Sequence, residues 1–266
     1  MTSPITVIKS VGPKLVPFFK TTCIYFVLWL PEPSVLAAVV KILPILSLGG
    51  FILIHRVSFP SLHRFSYGIL AGLFFSCFGD IFLVFKENYF IHGLCAFAIA
   101  QLIYAINFGF KPFKWSVLLV LSLLSFAVYV ILYPSLFGPL VYLAAVYITL
   151  LGYMTWRAIA RLQFFERRWT WSKMSGCFGA VLFSISDLLI GLNKFVFPVP
   201  YVRVIVMLTY YTAQLGIVLS VVDYHKCDDL KNCVDVDTKS DDVSKKCSLN
   251  FHSADSPLKK NGIKVD

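Results

Sequence analysis

Two aspartates, Asp80 and Asp187, stand in long apolar stretches of the chain, in the similar segments SCFGDIFL and FSISDLLI. Each follows a small residue, Gly79 or Ser186, which lets another helix or a ligand approach closely. A charged side chain at the centre of a membrane-spanning helix costs at least about 2.5 kcal/mol, so it marks a functional site by default. The alternative for each aspartate is a structural hydrogen bond between helices.

The elements that carry these carboxyl groups are predicted to cross a membrane. The 266-residue chain is 58% hydrophobic and 14% charged, against roughly 25% charged residues in typical globular proteins. A window of about 20 residues predicts an all-α, polytopic membrane protein with eight transmembrane helices. The predicted spans are Leu15–Leu30, Val35–Ile54, Phe65–Phe85, Phe90–Phe108, Trp115–Tyr133, Gly138–Trp156, Met174–Val196 and Tyr201–Val222.

The distribution of basic residues predicts the orientation. Nineteen of the 24 Lys and Arg fall in the termini and the even-numbered loops, and only Lys86, Lys194 and Arg203 fall in the odd-numbered loops. Because cytoplasmic loops carry the excess of Lys and Arg, both termini are expected in the cytoplasm. This topology also accounts for the net charge of +10 without a nucleic-acid partner. We expect residues 1–224 to form the membrane domain and residues 225–266 a disordered cytoplasmic tail, rich in Asp, Lys and Ser.

The two aspartates and one lysine are predicted to share a layer of the membrane. Asp80 lies six residues before Lys86 and Asp187 seven before Lys194, which places both about 9–11 Å inside the non-cytoplasmic boundary. Lys41 enters span two to a similar depth from that face. Spans three and seven run in the same direction, four apart, as a duplicated four-helix unit would give. We therefore expect one shared polar site.

Further polar residues of the spans are candidates for binding a substrate at this site. Each is individually typical of helix packing or of the membrane interface. The histidines outside span four lie in cytoplasmic loops or in the tail, which excludes a three-histidine zinc site, and no G-x-S-x-G motif is present. We expect neither a metal nor another cofactor. The candidate binding residues are Lys41, His92, Asn193, Lys194, Tyr210, Tyr211 and Gln214.

The chain resembles the lysoplasmalogenase (YhhN) family of membrane proteins, specifically the vertebrate transmembrane protein 86 branch, over residues 1 to about 225. The resemblance is carried by the ordered segments KILP from Lys41, GDIFL from Gly79, HG at His92, SDL through NKF from Ser186, and YYTAQ from Tyr210. It implies a hydrolase of the endoplasmic reticulum that cleaves the vinyl-ether bond of lysoplasmalogens. The implied products are a fatty aldehyde and glycerophosphoethanolamine or glycerophosphocholine, and the family's two motif aspartates correspond to Asp80 and Asp187.

The chemistry of a vinyl ether agrees with this expectation. Hydrolysis begins with protonation of the β-carbon, which gives an oxocarbenium ion that water captures. One carboxylic acid and one carboxylate divide such work in glycosidases, and here Asp80 and Asp187 would do so in an order that the sequence leaves open. Lys41 would hold the carboxylate ionised or meet the substrate's phosphate.

Three other classes of protein remain open. A proton-coupled transporter also uses paired intramembrane aspartates, although such proteins usually interrupt paired spans with Gly or Pro. An intramembrane aspartyl protease would be expected to show a G-x-G-D signature, in which Cys77 here replaces the first glycine. A non-enzymatic polytopic membrane protein is the third alternative.

Overall fold

The computed structural model describes residues 4–57, 63–162 and 170–222, and within them the chain is all helical. The predicted tail, 225–266, lies outside the described residues, so its disorder stays a prediction. The eight helices are α1 (Pro4–Leu28), α2 (Val35–Val57), α3 (His63–Val84), α4 (Lys86–Asn107), α5 (Trp115–Leu132), α6 (Pro139–Arg161), α7 (Trp171–Phe195) and α8 (Val202–Leu219), with a 3-10 turn at Tyr133–Ser135 after α5.

Seven of these helices, α2 to α8, are long and apolar enough to cross a membrane, which confirms an integral membrane protein. Helix α1 is not among them. Lys14 and Lys20 lower its hydropathy, and Pro13 and Pro17 lie inside it. Helix α1 packs along α2, as an eighth span would. Because α1 is not among the helices apolar enough to cross a membrane, an eighth crossing remains a prediction.

Three helix boundaries differ from the predicted ones by four or more residues. Helix α1 continues through its prolines and starts at Pro4 rather than at residue 15. Helix α4 starts at Lys86, directly after α3, and accommodates the sharp turn with a non-helical backbone at Tyr89. Helix α6 extends to Arg161, so Arg157, which was expected in a loop, is a fully buried helical residue whose guanidinium donates to the carbonyl oxygens of Gly109 and Pro112.

The helix pairs follow the duplication suggested by the sequence. Helices α1 to α4 pack in the order in which α5 to α8 pack: α1 on α2 as α5 on α6, α2 on α3 as α6 on α7, and α3 on α4 as α7 on α8. The two halves meet through α2 with α8 and through α6 with α4, which are equivalent pairs. This correspondence supports a repeated four-helix unit.

Glycines bring α7 and α8 into backbone contact. A Cβ atom on Gly179 would lie 2.6 Å from the carbonyl oxygen of Ala213, and one on Gly216 would lie 2.8 Å from that of Ser175. Small residues at such crossings are typical of helix association in membranes.

Helix α5 is the least buried of the candidate spans, because only 6% of its span is buried. It therefore lies at the periphery of the helix bundle.

Candidate active site

Asp80 lies in a closed compartment between α2, α3 and α8. Its side chain is almost completely buried, and its Oδ2 accepts a hydrogen bond of 2.7 Å from the hydroxyl of Tyr210. The ammonium nitrogen of Lys41, also buried, lies 4.0 Å from Oδ1. The sequence predicted that Lys41 shares a layer of the membrane with both aspartates, and in the structure it pairs with Asp80. A buried charge needs such a partner, since removing either one leaves the other uncompensated.

Gly79 makes room for the wall behind Asp80. A Cβ atom at Gly79 would lie 2.5 Å from the ring of Phe97 on α4. That ring packs against Phe183 and Tyr210, with centroid distances of 6.1 and 5.9 Å. The small residue before the aspartate therefore admits an aromatic cluster, Phe97–Phe183–Tyr210, beside the carboxyl group.

Asp187 has different partners, supplied by α4 and α6. Its Oδ2 accepts a hydrogen bond of 2.9 Å from Nε2 of Gln101 and one of 2.5 Å from the hydroxyl of Tyr147. Tyr147 was missing from the sequence-based candidates. Its depth was the available signal, because Tyr147 lies eight residues after the start of α6 and Asp187 eight residues before the end of α7. That depth is too great for a tyrosine of the interfacial belt.

The two aspartates occupy equivalent places in the repeated unit. Asp80 on α3 is contacted by Lys41 from α2 and Tyr210 from α8, and Asp187 on α7 is contacted from α6 and α4. Among the described residues they share no hydrogen-bond partner, although they are near enough to interact electrostatically. The expected single site is therefore two neighbouring carboxyl sites inside one helical bundle.

A cavity of about 430 Å³ lies against Asp187, between α4, α5, α6 and α7. This volume lies within the range of small-molecule sites. Its wall is apolar apart from Asp187, Tyr147 and a few hydroxyl groups, and Asp80 is not part of it. The polar lining residues are Ser125, Tyr147, Thr155, Ser184 and Asp187.

A cation, Lys194, lies beside the cavity without being part of its wall. Phe90 and Phe195 line the cavity, and the ammonium of Lys194 lies 4.2 Å from the ring centroid of Phe90 and 5.9 Å from that of Phe195. Lys194 is exposed. It follows Asp187 by seven residues on α7, so the two side chains share a helix face about 10 Å apart along the axis.

A second groove, of about 280 Å³, runs along α5 and α6 beside the cavity. The two spaces share part of their wall, where α5 crosses α6. A Cβ atom on Gly152 would lie 2.5 Å from Oγ of Ser125, which shows how closely the helices approach there. The shared residues are Leu121, Ser125, Ile148 and Gly152.

None of the predicted binding residues lines the cavity, and those other than Lys194 have structural contacts elsewhere. His92 is exposed and packs against the rings of Phe82 and Tyr89. Asn193 accepts a hydrogen bond from the backbone of Val199 in the turn before α8.

Tyr211 and Gln214 hold α8 against its neighbours. Tyr211 donates to the carbonyl oxygen of Lys41, at 2.8 Å. Gln214 donates to Ser76 and accepts from Tyr104, both at 3.0 Å. Both residues therefore border the Asp80 compartment and position its helices.

No group of three or more His, Cys, Asp or Glu that could hold a metal ion occurs within residues 4–57, 63–162 and 170–222. The chemistry that these residues offer is proton transfer by a carboxyl group, next to an apolar space inside the membrane-spanning helices. Fold and site together define a polytopic membrane protein with two carboxyl sites among its helices. The chain belongs to the YhhN family, which it matches over residues 36–221.

Relatives of known name cover most of the chain. Lysoplasmalogenase TMEM86A of Bos taurus is 47% identical over 226 residues, which are 84% of this chain and 94% of the relative. The Homo sapiens protein of that name is 48% identical over the same shares. Lysoplasmalogenase TMEM86B of Sus scrofa is 38% identical over 79% of this chain and 87% of the relative. No solved structure matches the chain.

Proposed function

We propose that this protein is a lysoplasmalogenase, a membrane hydrolase that cleaves the vinyl-ether bond of lysoplasmalogens. The products are a fatty aldehyde and glycerophosphoethanolamine or glycerophosphocholine. The names of relatives up to 48% identical support the activity. The observation that carries the proposal is the carboxyl group of Asp187 in the wall of an apolar cavity within the bundle.

The cavity suits a lipid with one chain. An alkenyl chain is apolar, and burying it in an apolar space gains roughly 25 cal/mol for each Å² removed from water. Lys194 beside the cavity offers a cation for the phosphate of the headgroup. The distance of about 10 Å between Lys194 and Asp187 along α7 is one that a glycerophosphate group spans, so the vinyl ether would lie at Asp187.

The reaction needs a proton on carbon and water at the adjacent carbon. A carboxylic acid held in the membrane donates the proton, and a carboxylate then stabilises the oxocarbenium ion and orients water, roles that carboxyl groups also take in glycosidases. Of the acidic residues in the described helices, Asp80 is buried, and Asp187 is partly buried and faces the cavity. We propose that both are required.

The proposed location is the membrane of the endoplasmic reticulum, with both termini in the cytoplasm and the two carboxyl groups in the lumenal half. The charge asymmetry of the loops supports the orientation. Lipid substrate would then enter from the bilayer.

Purified protein in lipid nanodiscs tests the activity. We expect aldehyde release from a vinyl-ether lysolipid. The saturated alkyl-ether analogue, which has no double bond to protonate, should bind without being cleaved. The ester lysolipid should be a poor substrate, since no serine nucleophile motif is present. Absence of aldehyde from folded protein, or equal cleavage of the saturated ether, would overturn the proposal.

A further inference from the structure

We infer that Tyr147 is a catalytic residue that works with Asp187 to protonate the vinyl-ether carbon, whereas Asp80 supports the reaction without touching the substrate. The inference rests on the proposed function and assigns the two carboxyl groups separate roles. It follows from which polar atoms border the cavity and which are closed off from it.

The cavity wall separates the two aspartates. Tyr147 and Asp187 both line the cavity, joined by a hydrogen bond of 2.5 Å. Asp80 lies behind Tyr210, whose ring packs against Phe97, and Phe97 is itself part of the wall. A substrate in the cavity therefore meets the Asp187 carboxyl group and the Tyr147 hydroxyl, and it meets an aromatic ring on the side of Asp80.

The hydrogen bonds at Asp187 favour proton donation from its other oxygen. The described donors, Tyr147 and Gln101, both point at Oδ2, which leaves Oδ1 to carry the acidic proton. As that proton departs, negative charge develops on the carboxylate. Donors already aimed at that charge stabilise the transition state without reorganisation.

The carboxyl group of Asp187 alone can make every proton transfer of the reaction. The electron pair of the C=C bond forms the new C–H bond with the Oδ1 proton, leaving a carboxylate and an oxocarbenium ion. Water adds to the cationic carbon and gives a proton back to the carboxylate. The product of this step is a hemiacetal. The carboxylic acid of Asp187 then protonates the glycerol oxygen as the C–O bond breaks, and the hemiacetal hydroxyl gives its proton to the resulting carboxylate as the C=O bond of the aldehyde forms. Water is the only co-reactant, and no oxidant or reductant is needed.

Asp80 is a positioning residue in this scheme. It neutralises the buried ammonium of Lys41 and holds the Tyr210 hydroxyl, and so fixes the aromatic ring that packs on Phe97. Its loss would leave Lys41 as an uncompensated charge behind the cavity wall. That loss can be repaired by removing the second charge, whereas loss of a proton donor cannot.

The Tyr147→Phe variant tests the first part of the inference. It removes one hydrogen-bond donor and keeps the ring, so kcat should fall by about 10²-fold to 10³-fold. KM and the inhibition constant of the uncleavable saturated-ether lysolipid should stay unchanged. Tyr142→Phe is the matched control, because it removes a tyrosine hydroxyl from the same helix at an exposed position, and it should turn over like the wild type.

The role of Tyr147 and the lysoplasmalogenase activity would be contradicted by different results. Wild-type kcat in Tyr147→Phe, or a kcat loss matched by weaker binding of the saturated ether, would overturn the role of Tyr147 and leave the lysoplasmalogenase activity standing. Absence of aldehyde from the wild type would instead remove the proposed function.

The pair of variants at Asp80 tests the second part. Asp80→Asn should lose turnover, and the double variant Asp80→Asn/Lys41→Met, which removes both charges, should recover at least about tenfold over the single variant. Asp187→Asn combined with Lys41→Met should stay inactive. A folded Asp80→Asn/Lys41→Met protein without recovery would mean that Asp80 itself transfers a proton.

Discussion

Asparagine at position 80 or 187 keeps the shape and the hydrogen-bonding capacity of the side chain but can neither donate a carboxylic proton nor carry a charge. We expect Asp187→Asn to lower aldehyde release by at least about 10²-fold, the usual contribution of a positioned acid or base. Asp80→Asn should also lower aldehyde release, because it leaves the buried ammonium of Lys41 uncompensated. Glu87→Gln, which removes an exposed carboxylate at the start of α4, is the control. Membrane insertion is followed by detergent gel filtration, and wild-type turnover in either variant would remove that residue from the mechanism.

Lys194 is predicted to contact the phosphate of the substrate's headgroup. Lys194→Gln removes the ammonium near Phe90, so KM for a phosphate-bearing vinyl-ether lysolipid should rise severalfold. KM for the corresponding alkenylglycerol, which has no phosphate, should not change. Lys86→Gln removes another exposed lysine, the first residue of α4, and should leave both KM values unchanged. An equal effect of Lys194→Gln on the two substrates would contradict a phosphate contact.

At this scale the sequence predicted the residues with unusual chemistry and missed the ordinary ones. Asp80 and Lys41 were found because a charge inside an apolar span is rare, and the structure places the two side chains together. Tyr147 was missed because tyrosine is common in membrane helices. Its importance arises from the packing of α6 on α7, which no local pattern encodes.

At the scale of helices, the residues shared by the cavity and the second groove predict selectivity for the length of the substrate's alkenyl chain. Ser125→Leu adds bulk where α5 crosses α6 next to Gly152. We expect the kcat/KM of long-chain vinyl-ether lysolipids to fall by about tenfold, the effect of roughly 1.4 kcal/mol of lost binding. Short-chain substrates should keep their kcat/KM.

Ser116→Leu is the control for this prediction, because Ser116 is an exposed residue of the same helix outside both spaces. Measuring kcat/KM for a series of chain lengths in both variants separates selectivity from a general loss of activity. A uniform loss across the series in Ser125→Leu would contradict passage of the chain along this crossing.

Hydrophobic length predicted the positions of the helices but not all of their ends. The extension of α6 to Arg161 escaped prediction because charged residues there are accommodated by tertiary contacts. Helix α4 begins with the exposed residues Lys86 and Glu87, whose charges placed them outside the predicted span. The buried Arg157 is an example, since backbone carbonyl groups from another part of the chain accept its hydrogen bonds. The order of helix packing was foreseen only as a weak likeness between the two aspartate segments.

At the scale of the whole molecule, the charge distribution predicts that both termini are cytoplasmic. Epitope tags at the two ends should both be reached by antibody after selective permeabilisation of the plasma membrane. A lumenal loop tag, inserted between α7 and α8, should become reachable only after full permeabilisation. A protected N-terminus with an exposed C-terminus would mean that α1, which is less apolar than the other helices, does not cross the membrane.

Carbon protonation by a membrane-embedded carboxyl group is the central claim, and deuterium reports it most directly. Purified protein should hydrolyse a vinyl-ether lysolipid in D₂O, with the aldehyde reduced at once by borohydride and the alcohol analysed by mass spectrometry. Because carboxylic protons exchange with solvent, one deuterium is predicted at the carbon that was the vinyl β-carbon, C2 of the aldehyde. Unlabelled aldehyde incubated with the protein for the same time corrects for exchange. Rapidly trapped product without deuterium at C2 would contradict the mechanism.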